Sequence, residues 1–253
     1  MVKFFTFKNF DSITGCMHAI SMKDASEPYT FSMALHTGEK TDKIVKNRNK
    51  LTSLLNWDKK LYFVLANQTH SNHIEVIDQH THKGWETLNT AIENCDAMIT
   101  NQKNIVLSIL TADCVPILLF DRKQNVIAAI HAGWKGTKGN IVLKTVEKMI
   151  KDFHSNPHDI IAGIAPSIGR CCYEVGEDVA KYFYDFPQAY DKKDDKYMLD
   201  LPLINRAQLL SMGLIPDNIE MSDICTSCNV EKFFSYRKEE GCSGRFMSMI
   251  RLV

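Results

Sequence analysis

The sequence predicts an α/β fold, of either the α/β or the α+β class, with mixed sheets in a single domain. Seven short runs are rich in β-branched and aliphatic residues, which is typical of strands. Four longer segments carry apolar residues at helical spacing. The two kinds of segment interleave along the chain. Nothing in the 253 residues resembles a linker, so we expect one domain over residues 1–253.

The predicted strands are short and apolar. They cover residues 62–66, 74–78, 105–110, 116–120, 126–131, 160–164 and 246–253. Several of these runs are continuously apolar rather than alternating, which favours strands buried on both faces. The most polar stretch, residues 190–196, predicts a surface loop.

The predicted helices cover residues 43–56, 140–153, 178–184 and 202–212. The second is the clearest, because its apolar residues recur at the spacing of one helical face. These residues are Val142, Val146, Met149, Ile150 and Phe153.

Composition and charge exclude several classes of partner. Lys plus Arg and Asp plus Glu both total 30, so the formal charge is zero. A neutral chain gives no general reason to expect nucleic acid or an anionic membrane as a partner. No stretch approaches the ~20 apolar residues of a membrane span, and the N-terminus lacks a secretory pattern. The eight cysteines therefore predict reduced thiols or metal ligands in a cytoplasmic protein.

Three apolar runs lead into side chains that can bind a metal. Residues 62–66 precede His70, residues 105–110 precede Cys114, and residues 126–130 run directly into His131. Two imidazoles and one thiolate can hold zinc and leave its fourth position open. Position alone does not decide between His70 and the nearby His73. Cys114 could also be a buried small hydrophobic residue.

Further polar residues lie beside these candidates. Asp113 could orient a ligand histidine or act as an acid/base, or it could cap a turn. Lys135 and the amides near Gly136 follow His131 in a glycine-bearing turn before a helix, and could bind a phosphate. An ordinary connection with Lys135 on the surface is the plain alternative. Arg48, Arg237 and Arg245 are further anion candidates, although each could simply be a surface residue.

Two pairs of cysteines lie in the C-terminal half. Cys171 and Cys172 follow a Pro- and Gly-containing loop that forms either a pocket wall or only a turn. Cys225 and Cys228 form a CxxC pair. Without a second pair at metal spacing this is a weak zinc or redox signal. The spacing therefore favours cysteines with no shared role.

The blocks in this order resemble the YfiH-type laccase-domain family. The resemblance runs from about Arg48 to the C-terminus. It is carried by Gln68-Thr69-His70, Asp96-Ala97-Met98-Ile99-Thr100, Thr111-Ala112-Asp113-Cys114-Val115-Pro116, His131-Ala132-Gly133-Trp134-Lys135-Gly136, Gly163 to Gly169, Cys172-Tyr173-Glu174-Val175-Gly176, Cys225-Thr226, Phe233-Phe234-Ser235-Tyr236-Arg237 and Gly244-Arg245.

The resemblance implies a single domain with α/β/β/α layers and a zinc-binding purine nucleoside phosphorylase. It implies phosphorolysis of adenosine, inosine and S-methyl-5'-thioadenosine, together with adenosine deaminase activity. The metal ligands carry over to His70, Cys114 and His131. Ser71 replaces the usual glycine after the first histidine, and Lys135 replaces a frequent arginine. These mild departures bear on substrate preference more than on metal binding.

Other functions stay open from sequence alone. Cys114 as nucleophile and His131 as base would make a metal-free cysteine hydrolase. A closed four-ligand site, with Cys171, Cys172 or another histidine as fourth ligand, would suit a non-catalytic partner protein. A copper-dependent polyphenol oxidase needs many paired histidines, and the chain has nine with one His-x-His pair. Copper could nevertheless occupy the single site in place of zinc.

Overall fold

The computed structural model describes residues 2–57, 60–241 and 244–253. Within them the strands are β1 (Phe4–Phe5), β2 (Cys16–Ser21), β3 (Tyr62–Leu65), β4 (Ile74–Val76), β5 (Ala97–Thr100), β6 (Ile105–Thr111), β7 (Val115–Asp121), β8 (Val126–Ala132), β9 (Ile160–Ile164), β10 (Glu174–Val175), β11 (Tyr190–Lys193), β12 (Lys196–Leu199), β13 (Ile219–Met221) and β14 (Phe246–Leu252). The α-helices are α1 (Lys8–Asp11), α2 (Thr41–Leu54), α3 (Trp134–Lys138), α4 (Ile141–Phe153), α5 (Glu177–Ala180) and α6 (Leu201–Ser211).

Two large mixed sheets form the centre of the fold. One has five strands in the order β1-β2-β14-β6-β3, and the other has six in the order β13-β9-β7-β8-β5-β4. Most neighbouring strands are antiparallel, but β3 is parallel to β6, β4 to β5, and β13 to β9. A small sheet, β10-β12-β11, is not hydrogen-bonded to these two, and its residues Val175, Tyr197 and Leu199 pack in one apolar cluster with the six-stranded sheet. The prediction of mixed sheets is confirmed.

The alternation of side chains along each strand builds three apolar layers. On β8, Val126, Ala128 and Ile130 pack with helices α4 and α6, whereas Ile127 and Ala129 pack against the five-stranded sheet. The outer face of the five-stranded sheet packs with Leu51 of α2. Both sheets are thus buried on both faces, which explains their continuously apolar strands. The α/β/β/α layering is confirmed.

All seven predicted strands are present, with ends shifted by at most one or two residues. The helices at 43–56, 140–153 and 202–212 are confirmed as α2, α4 and α6. The helix at 178–184 is partly wrong, because α5 ends at Ala180 and a 3-10 turn, Lys181–Phe183, follows. The loop at 190–196 is wrong: it is the exposed hairpin of β11 and β12. In the described part of the chain no helix is long and apolar enough to cross a membrane.

Candidate active site

The site is built on two neighbouring strands of the six-stranded sheet. Ala97 of β5 pairs with Ile130 of β8, so Asp96 lies opposite His131. The backbone N–H of His131 donates to the carbonyl of Asp96 at 2.7 Å. Their side chains are also bonded, with 2.7 Å between His131 Nδ1 and Asp96 Oδ1. Both side chains are buried, and this contact leaves Nε2 of His131 for a metal.

The same carboxylate holds the loop that carries His70. Asp96 accepts hydrogen bonds from the backbone N–H groups of Thr69, His70 and Ser71, and from the Ser71 hydroxyl at 2.7 Å. His70 has a φ of +60°, in the left-handed region, where a non-glycine residue needs support from its surroundings. Asp96 thus positions both histidines of the site.

The third candidate ligand, Cys114, directly precedes β7, the strand that pairs with the end of β8 at His131. Its Sγ is 3.7 Å from Nε2 of His70. The candidate ligand atoms of His70, Cys114 and His131 all lie within 4.8 Å of one another. Nitrogen and sulfur bound to one tetrahedral zinc are separated by about 3.6 Å. The three side chains therefore fit a zinc ion with one open position.

Gly133 provides the space in which these ligands meet. A Cβ at this position would lie 2.9 Å from Cδ2 of His70 and 3.1 Å from Sγ of Cys114. Real Cβ atoms essentially never come closer than 3.0 Å to such atoms. Any other residue here would push His70 or Cys114 out of position.

The charges of the site favour a thiolate. Burial raises the pKa of Cys114, but the charge of His131 and hydrogen bonds from both histidines outweigh it and lower that pKa to about 6. Burial lowers the pKa of His131, whereas the Cys114 thiolate and Asp96 raise it to about 9. For Asp96, hydrogen bonds from His131 and Ser71 overcome burial and lower its pKa to about 2. The thiolate is the form of cysteine that binds a metal or attacks as a nucleophile.

Asp113 has a different setting from the one expected of a histidine partner. It is buried, has a φ of +84°, and precedes Cys114. Its Oδ1 accepts from the Thr226 hydroxyl and its Oδ2 from the backbone N–H of Arg237, both at 2.6 Å. The carboxylate that contacts His131 is Asp96, which corrects the interpretation of Asp113 as that partner. An acid/base role for Asp113 stays a prediction.

A cavity of about 510 Å³ opens beside the three ligands. Its remaining walls combine apolar and polar side chains. The apolar ones include Leu65, Ala66, Leu88, Ala91, Leu110 and Ala112, and the polar ones include His36, Arg48, Asn67, Gln68, Tyr236 and Arg245. Gln68 exchanges two hydrogen bonds with the backbone of Leu110 and is thereby fixed. The cavity combines apolar surface with polar groups that converge on one space, as in sites for small organic ligands.

Arg48 is fully buried in the wall of this cavity. Its guanidinium donates to the carbonyls of Met33, Gly84 and Trp85. Burial lowers its pKa to about 9. Among the described residues its hydrogen-bond partners are all carbonyls, so its charge has no bonded carboxylate to balance it. Such a charge attracts anions into a cavity.

Lys135 and Gly136 lie on the other side of His70. The predicted turn after His131 is in fact helix α3, which begins at Trp134. Lys135 is exposed, with its Nζ 5.7 Å from the Trp134 ring, and lines a second depression that also contains His70. Gly136 is buried against the carbonyl of Ser71. Arg48 and Lys135 therefore flank His70 from two different depressions.

Comparison with known proteins gives consistent matches. A family model described as multi-copper polyphenol oxidoreductase laccase matches residues 18–253. The chain is 35% identical over 227 residues to the purine nucleoside phosphorylase YlmD of Bacillus subtilis, covering 87% of this chain and 81% of that protein. It is 36% identical over 192 residues to adenosine deaminase RL5 of an unknown prokaryotic organism, covering 72% of each.

Solved structures show the same fold. The crystal structure of YlmD from Geobacillus stearothermophilus superposes with a TM-score of 0.89 and 30% identity, covering 94% of this chain and 92% of that one. The Bacillus licheniformis hypothetical protein YfiH gives a TM-score of 0.87 and 32% identity, covering 94% and 93%.

Proposed function

The chain belongs to the multi-copper polyphenol oxidoreductase laccase family, and we therefore propose that it is a zinc-dependent purine nucleoside phosphorylase with adenosine deaminase activity. Its expected substrates are adenosine, inosine and S-methyl-5'-thioadenosine, together with inorganic phosphate. The observation that carries the proposal is the His70, Cys114 and His131 cluster at the wall of a ligand-sized cavity. We expect the enzyme to act in the cytoplasm, with no nucleic acid or membrane partner.

The donor set supports zinc over a set of copper centres. The cluster offers one thiolate and two imidazoles, which suits a single ion with an open position. The other closely spaced histidines are engaged elsewhere: His80 contacts the carbonyl of Lys103, and His82 accepts from the backbone N–H of Phe63. Bound zinc would act as a Lewis acid that polarises the group next to it.

The cavity walls suggest how a nucleoside would bind. The apolar side chains give a surface for the flat purine, and the exposed ring of Tyr236 stands at the same cavity. Arg48, His36 and Arg245 line the cavity too, and the two arginines supply positive charge for phosphate. Lys135 is a second candidate for this role, from the neighbouring depression.

Phosphorolysis needs these two subsites together. A phosphate oxygen forms a bond to C1′ of the ribose while the bond from C1′ to N9 of the purine breaks. The electron pair goes to the purine, which takes up a proton, and the sugar 1-phosphate results: ribose 1-phosphate from adenosine or inosine, and 5-methylthioribose 1-phosphate from S-methyl-5'-thioadenosine. Holding phosphate and nucleoside in line supplies much of the barrier reduction, and fixed positive charge stabilises the transition state. Cys114, His131 and Asp113 are the proposed groups beside the departing base.

Deamination uses water instead of phosphate. The oxygen of water adds to C6 of adenosine and ammonia leaves, giving inosine. The relative named adenosine deaminase RL5 supports this second activity. Because it needs no phosphate, deamination should persist when the phosphate subsite is damaged.

The test is an assay of purified protein with its metal content measured. Adenosine, inosine and S-methyl-5'-thioadenosine are incubated with and without phosphate, and free base, ribose 1-phosphate and ammonia are quantified. We expect phosphate-dependent base release and phosphate-independent ammonia release, both lost in Cys114→Ala together with one metal ion. Unchanged nucleosides across this set would refute the proposal.

One observation favours a second function. The paired Cys114 and His131, with Asp96 bonded to Nδ1 of the histidine, also match a metal-free cysteine hydrolase. Alkylation of Cys114 would abolish either activity, but a chelator would abolish only the metal-dependent one. Activity that survives complete removal of metal would therefore favour the hydrolase.

A further inference from the structure

A second group of metal-binding side chains lies outside the site described above. It consists of Cys171, Cys172, Cys225 and Cys228, whose sulfur atoms all lie within 4.8 Å of one another. We propose that these four cysteines bind a second zinc ion in a closed site. This ion would join the two chain segments that contact Asp113. The sequence spacing favoured no shared role for Cys225 and Cys228, because the vicinal pair 171–172 is far away in the chain.

The distances suit one tetrahedral ion. Sγ of Cys228 is 3.5 Å from Sγ of Cys171 and 3.4 Å from Sγ of Cys172. Four thiolates at about 2.3 Å from zinc are about 3.8 Å from one another. The four cysteines are free thiols in the structure, with no disulfide among them. Closed sites of four cysteines are typical of structural zinc.

The backbone around the cysteines supports the same interpretation. The N–H of Gly169 donates to Sγ of Cys225 at 3.3 Å. Such a bond helps to offset the negative charge that four thiolates leave around one Zn²⁺. A short parallel bridge between Ser167 and Cys225 aligns the two segments, so the cysteines meet without rearrangement of the chain.

Exposure gives an independent reason to expect an occupant. Cys171 and Cys228 are exposed, and Cys172 and Cys225 are half-buried. Neighbouring thiols on a surface are open to oxidation, whereas thiolates bound to zinc are occupied as ligands. Binding requires each thiol to lose its proton, so four protons are released per zinc ion.

The cluster is connected directly to the candidate active site. Thr226 lies between the two cysteines of the CxxC pair and donates to Oδ1 of Asp113. The backbone N–H of Ile168, just before Gly169, donates to the carbonyl of Asp113 at 2.9 Å. Asp113 in turn precedes Cys114. A zinc ion that joins the two segments would fix both contacts to Asp113, which makes Thr226 a positioning residue.

Metal analysis of variants tests the proposal. The full chain is purified without added metal and its zinc content is measured. We expect two zinc ions per chain in the wild type, one in Cys228→Ser, one in Cys114→Ala, and none when the two changes are combined. Cys16→Ala, at a buried cysteine in another part of the fold, is the matched control and should retain two.

Thiol reactivity supplies a second measurement. In the native wild type, Cys171 and Cys228 should react with an aromatic disulfide reagent only after a strong chelator is added. Hydrogen exchange should quicken at residues 167–173 and 225–229 in Cys228→Ser, but not in Cys16→Ala. Failure of zinc binding at His70, Cys114 and His131 would still leave one ion that Cys228→Ser removes, so the two sites are tested separately.

Several results would overturn the proposal. Two zinc ions in Cys228→Ser, or immediate reaction of Cys171 and Cys228 without chelator, would show that zinc does not bind there. Iron at these cysteines, or a disulfide among them in the native protein, would assign them a different chemistry.

Discussion

Replacing Asp96 by asparagine should weaken zinc binding directly. The loss of zinc affinity should exceed what the accompanying loss of folding stability can explain. Asp96 Oδ1 contacts His131 Nδ1, and Oδ2 accepts from Ser71. Asparagine keeps the shape but turns one acceptor into an NH₂ donor. If that donor faces His131, Nδ1 must accept and Nε2 takes the proton, which blocks the atom left for the metal. If it faces Ser71, the loop that carries His70 loses the hydrogen bonds that Thr69 and Ser71 donate to Oδ2, and keeps the one from the His70 N–H to Oδ1.

Loss of a group that orients a metal ligand typically costs 10–100-fold in affinity. We therefore expect the zinc dissociation constant of Asp96→Asn to rise about 10- to 100-fold, or about 1.4–2.7 kcal/mol. The assay is competition for zinc with a chromogenic chelator, with urea unfolding measured in parallel. If Cys171, Cys172, Cys225 and Cys228 hold a second ion, the measurement is repeated in the Cys228→Ser background.

Asp121 offers a matched control. It is also buried, and its Oδ1 accepts from the backbone N–H groups of Lys123 and Gln124 in the turn that follows β7. Asp121→Asn should lower the free energy of unfolding and leave the zinc dissociation constant unchanged. If Asp96→Asn and Asp121→Asn bind zinc equally well, the role assigned to Asp96 is wrong.

Three further predictions concern other parts of the molecule. Gly133→Ala should lower zinc affinity at least tenfold, because its Cβ would meet His70 and Cys114. Competition for zinc with a chelator measures this. Gly38→Ala is the control for lost stability, because Gly38 faces open space but has a φ of +91° that strains alanine. Arg48→Met should raise the KM for phosphate more than tenfold and spare deamination, whereas Arg48→Lys should restore part of the phosphate affinity; equal loss of both activities would indicate a purely structural role. His18 accepts from the backbone N–H of Phe7, and burial lowers its pKa to about 4, despite Asp11 and Glu220, whose carboxylates raise it. As the pH falls, the unfolded state therefore takes up the proton before the folded state does. The contribution of neutral His18 to the free energy of unfolding is complete above pH ~6.5 and declines as the pH falls toward 4, by about 2 kcal/mol at pH 5. Urea unfolding should show this component in the wild type but not in His18→Gln, which keeps an acceptor.

The sequence was most informative where burial is complete. Strands β6, β7, β8 and β9 are buried along their whole length, so their residues stand out without any knowledge of pairing. The hairpin of β11 and β12 was missed because burial does not mark it: residues 191–196 are all exposed and all charged. Strand β2 was missed for a related reason, since its sequence includes His18 and Ser21 among the apolar residues. In both cases the strand forms because of its pairing partners and its packing, which the local sequence does not reveal.

In the candidate site, too, some residues could be predicted from the sequence and others could not. His70, Cys114 and His131 could be proposed because each follows an apolar run, and the structure brings them together. The role of Asp96 could not be derived, because it depends on the pairing of β5 with β8, and β5 was not among the predicted strands. Asp96 nevertheless opens one of the blocks that carry the family resemblance, which was the available signal. The ligand assignments themselves stay predictions until a metal is measured.

The contacts of Asp113 and Asp96 suggest why the site depends on segments that are far apart in the chain. Asp96 positions the two histidines through strand pairing and the loop at Ser71, whereas Asp113 is held by Thr226 and Arg237 from the C-terminal segment. Cys114 lies between these two supports in space and follows Asp113 in sequence. The turn at Asp113, with its positive φ, leads directly into Cys114, whose Sγ is 3.7 Å from Nε2 of His70. Two of the contacts that fix this turn, from Thr226 and from the backbone N–H of Ile168, come from the segments that carry the four clustered cysteines, so a metal there would stabilise Cys114 without touching it.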